Sequence, residues 1–216
     1  MKIKYIIKPK NITNHFNLLQ VTIFSFVFIF FIILSYYVAK GDLNYLDIYL
    51  QELIQNNFPS WFESVARFFY FVGEAEVAVF IVLFSLIFLV WKRLWIEAQV
   101  MALSCLSVLL LIDKVLKPLF AIPRPVDRMV DNVYGYSYPS GHGSGNLLLY
   151  LLITYFITEY FPRWRFTLFT LVSILMILMG ISSVYLGVHW VTDFFASYCV
   201  GYILFSISVL LHKSSE

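Results

Sequence analysis

Charged residues are scarce in this sequence. Asp, Glu, Lys and Arg make up 13% of its 216 residues, while 61% are hydrophobic; a typical soluble domain is about 25% charged and about 45–50% apolar. So little charge cannot cover the surface of a water-soluble protein, and the long apolar runs indicate lipid as the surrounding medium. The net charge of +2 and the lack of a basic stripe argue against a nucleic-acid partner.

Cysteine is also scarce. Cys105 and Cys199 both lie inside apolar runs and have no metal-binding spacing, so we interpret them as small buried side chains. No internal repeat or linker divides the chain, and we expect one membrane-embedded domain over residues 1–216. We expect no cofactor, no metal and no obligate protein partner.

Long apolar runs dominate the chain. A helix needs about 20 apolar residues to cross a bilayer core of roughly 30 Å. Runs near this length predict an all-α polytopic membrane protein, a bundle of six transmembrane helices over residues 18–39, 75–91, 95–115, 141–160, 166–183 and 190–211. Residues 41–73 have apolar positions at helical spacing, which predicts short interfacial helices; a plain connector is the alternative. Residues 116–140 are interpreted as a polar loop.

The distribution of Lys and Arg predicts the orientation. Six spans put both termini on one side, which carries nine basic residues: Lys2, Lys4, Lys8, Lys10, Lys92, Arg93, Arg163, Arg165 and Lys213. The other side carries six: Lys40, Arg67, Lys114, Lys117, Arg124 and Arg128. Because basic residues favour the cytoplasmic side, we expect cytoplasmic termini. Short loops and the richness in Phe, Ile, Lys and Asn favour a bacterial inner membrane, with residues 116–140 and 184–190 on the periplasmic face.

Three polar stretches interrupt the apolar pattern on that outer face. They are "KPLFAIPRP" at 117–125, "YPSGH" at 138–142 and "HWVTD" at 189–193. Ionisable residues at membrane depth are costly and usually functional. The predicted topology brings all three stretches to the same end of the bundle, so we treat them as one candidate site.

Four residues of these stretches suit a phosphate group. Lys117 and Arg124 supply two cations, and the planar guanidinium of Arg124 matches phosphate oxygens. Ser140 and Gly141 stand where the fourth span begins, and a helix N-terminus presents unpaired N–H groups to an anion. These residues therefore predict a phosphate cradle.

Three further residues suit phosphoryl transfer. His189 and Asp193 are four residues apart, so Asp193 can hold one ring nitrogen of His189 and leave the other free as a nucleophile. His142 is left to act as a general acid. Together with the cradle, they indicate phosphoryl transfer through a phosphohistidine without a metal. His15 and His212 have no carboxylate one turn away, and we assign them no role.

The three stretches resemble the motifs of the type 2 phosphatidic-acid phosphatase superfamily of integral membrane lipid phosphatases. The family carries Lys, six residues and Arg-Pro, as at 117–125; Pro-Ser-Gly-His, as at 139–142; and Ser-Arg, five residues, His, three residues and Asp, as at 182–193 except for the arginine. The resemblance covers about residues 103–216. It implies a six-helix bundle and a metal-free mechanism in which His189 attacks phosphorus, Asp193 orients it and His142 protonates the leaving group.

The third motif departs from the family at its arginine, which is Ser183 here. Losing one donor of this kind costs about 10²–10³ in rate. Arg128 or Lys114 could supply the missing charge from the preceding loop. Alternatively, the substrate compensates or a smaller side chain makes room for its head group, or the protein is a weakened, non-catalytic lipid binder.

The substrate is predicted only by class. Undecaprenyl diphosphate, phosphatidylglycerol phosphate, phosphatidic acid and lipid A phosphates all fit, and a phosphotransferase that passes the phosphate to a second lipid is an alternative. Tyr134, Tyr136 and Tyr138 either contact a head group or are interfacial aromatics, and we favour the second interpretation.

Overall fold

The structure is a computed structural model that describes residues 18–131 and 133–215. Within these ranges all regular secondary structure is helical. The helices are α1 (Leu18–Lys40), α2 (Asn44–Asn57), α3 (Phe62–Val72), α4 (Ala75–Trp91), α5 (Trp95–Leu110), α6 (Lys117–Phe120), α7 (Gly141–Tyr160), α8 (Arg165–Tyr185) and α9 (Val191–Ser215). A π-helical segment, Leu111–Leu116, joins α5 to α6, and a 3-10 turn, Pro162–Trp164, precedes α8. The basic arm with Lys2, Lys4, Lys8, Lys10 and His15 lies outside the described residues.

Four helices of the described chain are long and apolar enough to cross a membrane. They are Leu18–Lys40, Trp95–Phe120, Pro162–Tyr185 and Val191–Ser215. A fifth is obtained if α3 and α4, which meet at a bend of 44°, form one broken span. The helix α7 is not among them, because it opens on the polar sequence Gly-His-Gly-Ser-Gly-Asn. The all-α, multi-pass membrane fold is confirmed, while length and composition give four or five spans and not six.

The third span extends further than the sequence indicated. The sequence predicts its end at residue 115 and a polar loop over residues 116–140, whereas the helix continues through the π-helical segment and α6 to Phe120. Pro118 lacks an N–H group, and its ring clashes with the carbonyl group four residues earlier in a regular helix. The wider π-helical turn accommodates this disruption, so Lys117 is held on a helix instead of a loop.

The helix α7 lies in the middle of the bundle and packs against α4, α5, α8 and α9. Small residues allow α7 and α9 to approach closely: a Cβ atom on Gly201 would lie 2.9 Å from the carbonyl oxygen of Ser144. On the outside, α1 leaves large side chains such as Phe26 exposed, as expected for a surface facing lipid. This packing brings the start of α7, the end of α8 and the start of α9 to one end of the bundle.

Candidate active site

His189 and Asp193 form a buried pair between α8 and α9. His189 lies in the turn before α9, and Asp193 lies in the first turn of that helix. The Nδ1 atom of His189 is 3.0 Å from Oδ2 of Asp193, and the two residues are 2% and 0% exposed. The sequence spacing predicted this contact, and the structure contains it.

The other ring nitrogen of His189 faces Arg124. The Nη1 atom of Arg124 lies 3.1 Å from Nε2 of His189. A guanidinium group can only donate hydrogen bonds, so Nε2 must be the acceptor and the ring proton must be on Nδ1, towards Asp193. The lone pair of Nε2 therefore points towards the cation that is expected to bind a phosphate.

Two further hydrogen bonds, besides the contact with His189, hold the carboxylate of Asp193. Its Oδ2 atom also accepts hydrogen bonds from the hydroxyl group of Ser137 and from the backbone N–H of Trp190, at 2.9 Å for the latter. Asp193 is the third residue of α9, so its bond to Trp190 is one half of a capping box. The negative charge also lies at the positive end of the helix dipole. These contacts stabilise the carboxylate at a fully buried position.

Burial lowers the pKa of His189, and the hydrogen bond to Asp193 acts in the opposite direction without cancelling it. Burial disfavours the charged imidazolium more than the neutral ring. His189 is consequently neutral at pH 7, the form in which Nε2 can act as a nucleophile.

The second motif lies at the beginning of α7. Ser140 is the N-cap residue, and its hydroxyl oxygen accepts the backbone N–H of Gly143 at 3.1 Å. The Nζ atom of Lys117 lies 3.6 Å from the place where a Cβ atom of Gly141 would be, so the ammonium group stands beside the helix N-terminus. Lys117 also forms an ion pair with Asp113, four residues before it, at 2.8 Å.

Two cavities meet at the two histidines. The larger, about 270 Å³, is lined by Lys117, Arg124, His142 and His189 and continues along apolar side chains of α4, α5 and α7. The smaller, about 30 Å³, is lined by His142, His189 and Ser183 together with aromatic residues of α3 and α9. Five predicted residues line the larger cavity: Lys117, Arg124, Gly141, His142 and His189. A sixth, Ser140, lines the smaller cavity together with the two histidines.

Ser183 and the two candidate replacement cations are not brought together. The hydroxyl group of Ser183 donates to the carbonyl oxygen of Gly180 at 2.8 Å. Arg128 is exposed and donates to the carbonyl oxygen of Val133 at 2.9 Å. Lys114 is exposed on the π-helical segment. Neither of these cations lines a cavity that contains His189.

Asp47, on α2, supports the helix that carries Asp193, and the sequence contains no direct indication of this role. It is buried, and its carboxylate accepts the backbone N–H of Thr192 at 3.0 Å and the hydroxyl group of Thr192 at 2.6 Å. Trp190 cannot cap α9 with its own side chain, so Asp47 supplies the cap from another helix. A helix start without a capping side chain, as in "HWVTD", was the available signal, but it does not identify the partner.

The expectation for one of the three tyrosines is wrong. Tyr138 is neither a head-group contact nor an interfacial aromatic: it is fully buried, and its hydroxyl group lies 2.7 Å from that of Ser35. Tyr134 and Tyr136 are exposed. His212 has no carboxylate one turn away on its own helix, but Glu97 of another helix lies 3.8 Å from its Nε2 atom.

Within the described part of the chain, no group of three or more His, Cys, Asp or Glu side chains is arranged to hold a metal ion. Cys105 and Cys199 are free, and the second is buried as expected.

Comparison with known proteins gives concordant results. A family model described as the PAP2 superfamily matches residues 98–215, more than half of the chain. The curated phosphatidylglycerophosphatase B of Bacillus subtilis (strain 168) is 34% identical over 98 residues, which cover 44% of this chain and 48% of that protein. The match therefore spans about half the length of this curated relative.

Two solved structures have similar folds. One is the crystal structure of a transmembrane PAP2 type phosphatidylglycerolphosphate phosphatase from Bacillus subtilis, with a TM-score of 0.76 and 25% identity over 88% of this chain and 93% of that one. The other is LpxE of Aquifex aeolicus, with a TM-score of 0.60 and 24% identity over 76% of this chain and 94% of that one; it supports the fold alone.

The cap that Asp47 provides generates a testable prediction. Asp47→Ala leaves two buried donors of Thr192 without a partner, which costs about 2–4 kcal/mol for a lost cap with its unmade hydrogen bonds. We expect a lower apparent Tm in detergent and lower activity, since Thr192 adjoins Asp193. An unchanged Tm would contradict this role.

Asp47→Asn is the matched control, because it keeps an acceptor oxygen and removes the titration. Burial raises the pKa of Asp47 to about 6, above its unfolded value of 3.8. A raised carboxyl pKa favours the folded state at low pH, and this contribution is lost as pH rises through about 6, by about 3 kcal/mol in total. The Tm of the unmodified protein should fall relative to that of Asp47→Asn between pH 4 and 7.5; parallel curves would contradict the assignment.

Proposed function

Since the chain belongs to the PAP2 superfamily, we propose that it is a lipid phosphate or diphosphate phosphatase that uses His189 as its nucleophile and requires no metal. The observation that carries the proposal is the position of Nε2 of His189. It has a lone pair, it faces the cation Arg124, and it borders a cavity whose remaining walls are largely apolar.

The first step is the attack of Nε2 on phosphorus. A phosphate group has to enter between Nε2 of His189 and the guanidinium of Arg124, where Arg124, Lys117 and the first N–H groups of α7 receive its oxygens. As the N–P bond forms, the bond from phosphorus to the leaving oxygen breaks, and His142 gives that oxygen a proton. Asp193 stabilises the positive charge that develops on the imidazole ring.

The second step releases phosphate. A water molecule attacks the phosphohistidine, and His142, now neutral, takes a proton from it. The N–P bond breaks, which regenerates neutral His189 and protonated His142. If the alcohol of a second lipid replaces the water, the same site becomes a phosphotransferase, which is the alternative within this chemistry.

A lipid substrate is supported by the shape of the larger cavity. Its charged residues lie at one end, and the side chains of Val79, Val82, Leu83, Val108 and Leu109 extend it between α4 and α5. An apolar tail fits such a groove while the phosphate reaches His189. The curated relative and the solved structure from Bacillus subtilis are both named for phosphatidylglycerol phosphate, so we favour that lipid. Undecaprenyl diphosphate, phosphatidic acid and lipid A phosphates are the other candidates.

The membrane arrangement is part of the same proposal. With α7 and α4 counted as spans, the chain crosses a bacterial inner membrane six times, its termini are cytoplasmic and the site faces the periplasm. The excess of basic residues on the side opposite the site supports this orientation, as does the position of all three motifs at one end of the bundle.

The function is tested by phosphate release from lipid phosphates in detergent micelles. The unmodified protein should release phosphate from at least one of the four candidates, whereas His189→Ala should be inactive. Because this variant leaves the buried Asp193 without its partner, its Tm should also fall, so both proteins are assayed well below that Tm. Because the pKa of His189 is lowered, the acid limb of the pH–rate profile should lie below the ordinary histidine pKa of about 6.5. Phosphate release by His189→Ala, or none by the unmodified protein, would contradict the proposal.

The missing motif arginine gives a separate prediction. Arg128→Ala and Lys114→Ala should keep phosphate release within about twofold, because surface substitutions away from the site have small effects. Arg124→Ala should lose about 10²–10³ in kcat, as expected for a donor that stabilises the transition state. A large loss in Arg128→Ala or Lys114→Ala would show that one of them replaces the arginine after all.

A further inference from the structure

Glu74 faces the second histidine of the site, His142, from a segment that carries no motif residue. It lies at the bend between α3 and α4. Its Oε2 atom is 3.9 Å from Nε2 of His142, and the two side chains are 28% and 39% exposed. The mechanism above assigns no role to Glu74.

Two neighbours lie around this bend. The phenol group of Tyr70, one helical turn earlier, interacts with the Glu74 carboxylate. The side-chain amide of Asn146 donates to the carbonyl oxygen of Gly73 at 2.7 Å. Asn146 is one turn after His142 on α7, so it fixes the bend relative to the helix that carries His142.

The surroundings of His142 explain why such a partner is needed. A general acid must be protonated before the leaving group departs. The other charged or titratable groups around it are Glu76 on α4, Lys117 on α6, Arg124 in the following loop and His189 in the α8–α9 turn. The two cations and the apolar walls disfavour an imidazolium, and a nearby carboxylate favours it.

We propose that Glu74 is a positioning residue that keeps His142 protonated and correctly oriented for the first step. This inference rests on the proposed function. The site then contains two carboxylate–histidine pairs with opposite tasks: Asp193 orients a neutral, buried nucleophile, and Glu74 maintains a charged, half-exposed acid. In the first step the proton moves from His142 to the leaving oxygen, and Glu74 itself gives up none.

The test compares two leaving groups. Dodecyl phosphate releases a weakly acidic alcohol and needs a general acid, whereas a dodecyl-substituted nitrophenyl phosphate releases an acidic phenol and does not. Glu74→Gln should lower kcat for dodecyl phosphate about 10–100-fold, within the range for general-acid catalysis, and change the nitrophenyl substrate less than about threefold. The alkaline limb of the pH–rate profile for dodecyl phosphate should also move to lower pH.

Glu76→Gln is the matched control: it removes the same charge from an exposed residue two positions further on, and it should change each rate less than about twofold. Tyr70→Phe removes the phenol hydroxyl that interacts with Glu74 and should give a weaker form of the same leaving-group dependence, which keeps the test decisive if Glu74→Gln folds poorly. Equal losses on both substrates, or no loss on either, would overturn the role of Glu74 and leave the proposed function unaffected. If the unmodified protein releases phosphate from neither substrate, the proposed function itself fails.

Discussion

The buried contact between His189 and Asp193 is the interaction on which the site depends. A carboxylate with no exposed surface in an apolar bundle is costly unless it is paired and hydrogen-bonded. The structure provides the hydroxyl group of Ser137, the N–H of Trp190 and the dipole of α9 for this purpose. The start of α9 is in turn capped by Asp47 from α2. The helix α2, between the first two predicted spans, therefore stabilises the start of the helix that carries Asp193.

The helix bounds and the meeting of the three motif stretches could be predicted from the sequence, because apolar runs, motif spacing and the order of elements can be read along the chain. The bounds of α4 and α7 match the predicted spans, and the three polar stretches meet as expected. Contacts between distant segments could not be predicted. Asp47 and Glu74 look like ordinary acids of polar segments, and only packing brings one to Thr192 and the other to His142. The extension of the third helix past Pro118 was missed for a different reason, because proline normally ends a helix.

Ser183, which stands at the position of the family's arginine, makes its contacts mainly within its own helix and the following turn. Its side chain bonds back to its own helix, and its backbone carbonyl accepts the N–H of Val188 in the turn that leads to His189. The position thus shapes the turn through its backbone, which any residue can do, while its small side chain borders the cavity at the two histidines. Arg124 and Lys117 are then the cations that line the larger cavity beside His189.

The proposed function requires a covalent bond between Nε2 of His189 and phosphorus. Rapid quenching of the protein with a radiolabelled lipid phosphate, followed by peptide mapping, tests for this bond directly. We expect a labelled protein whose bond is stable to alkali and labile to acid, with the label on His189 and none in His189→Ala. Rapid phosphate release without any labelled protein, or a label on another residue, would contradict it.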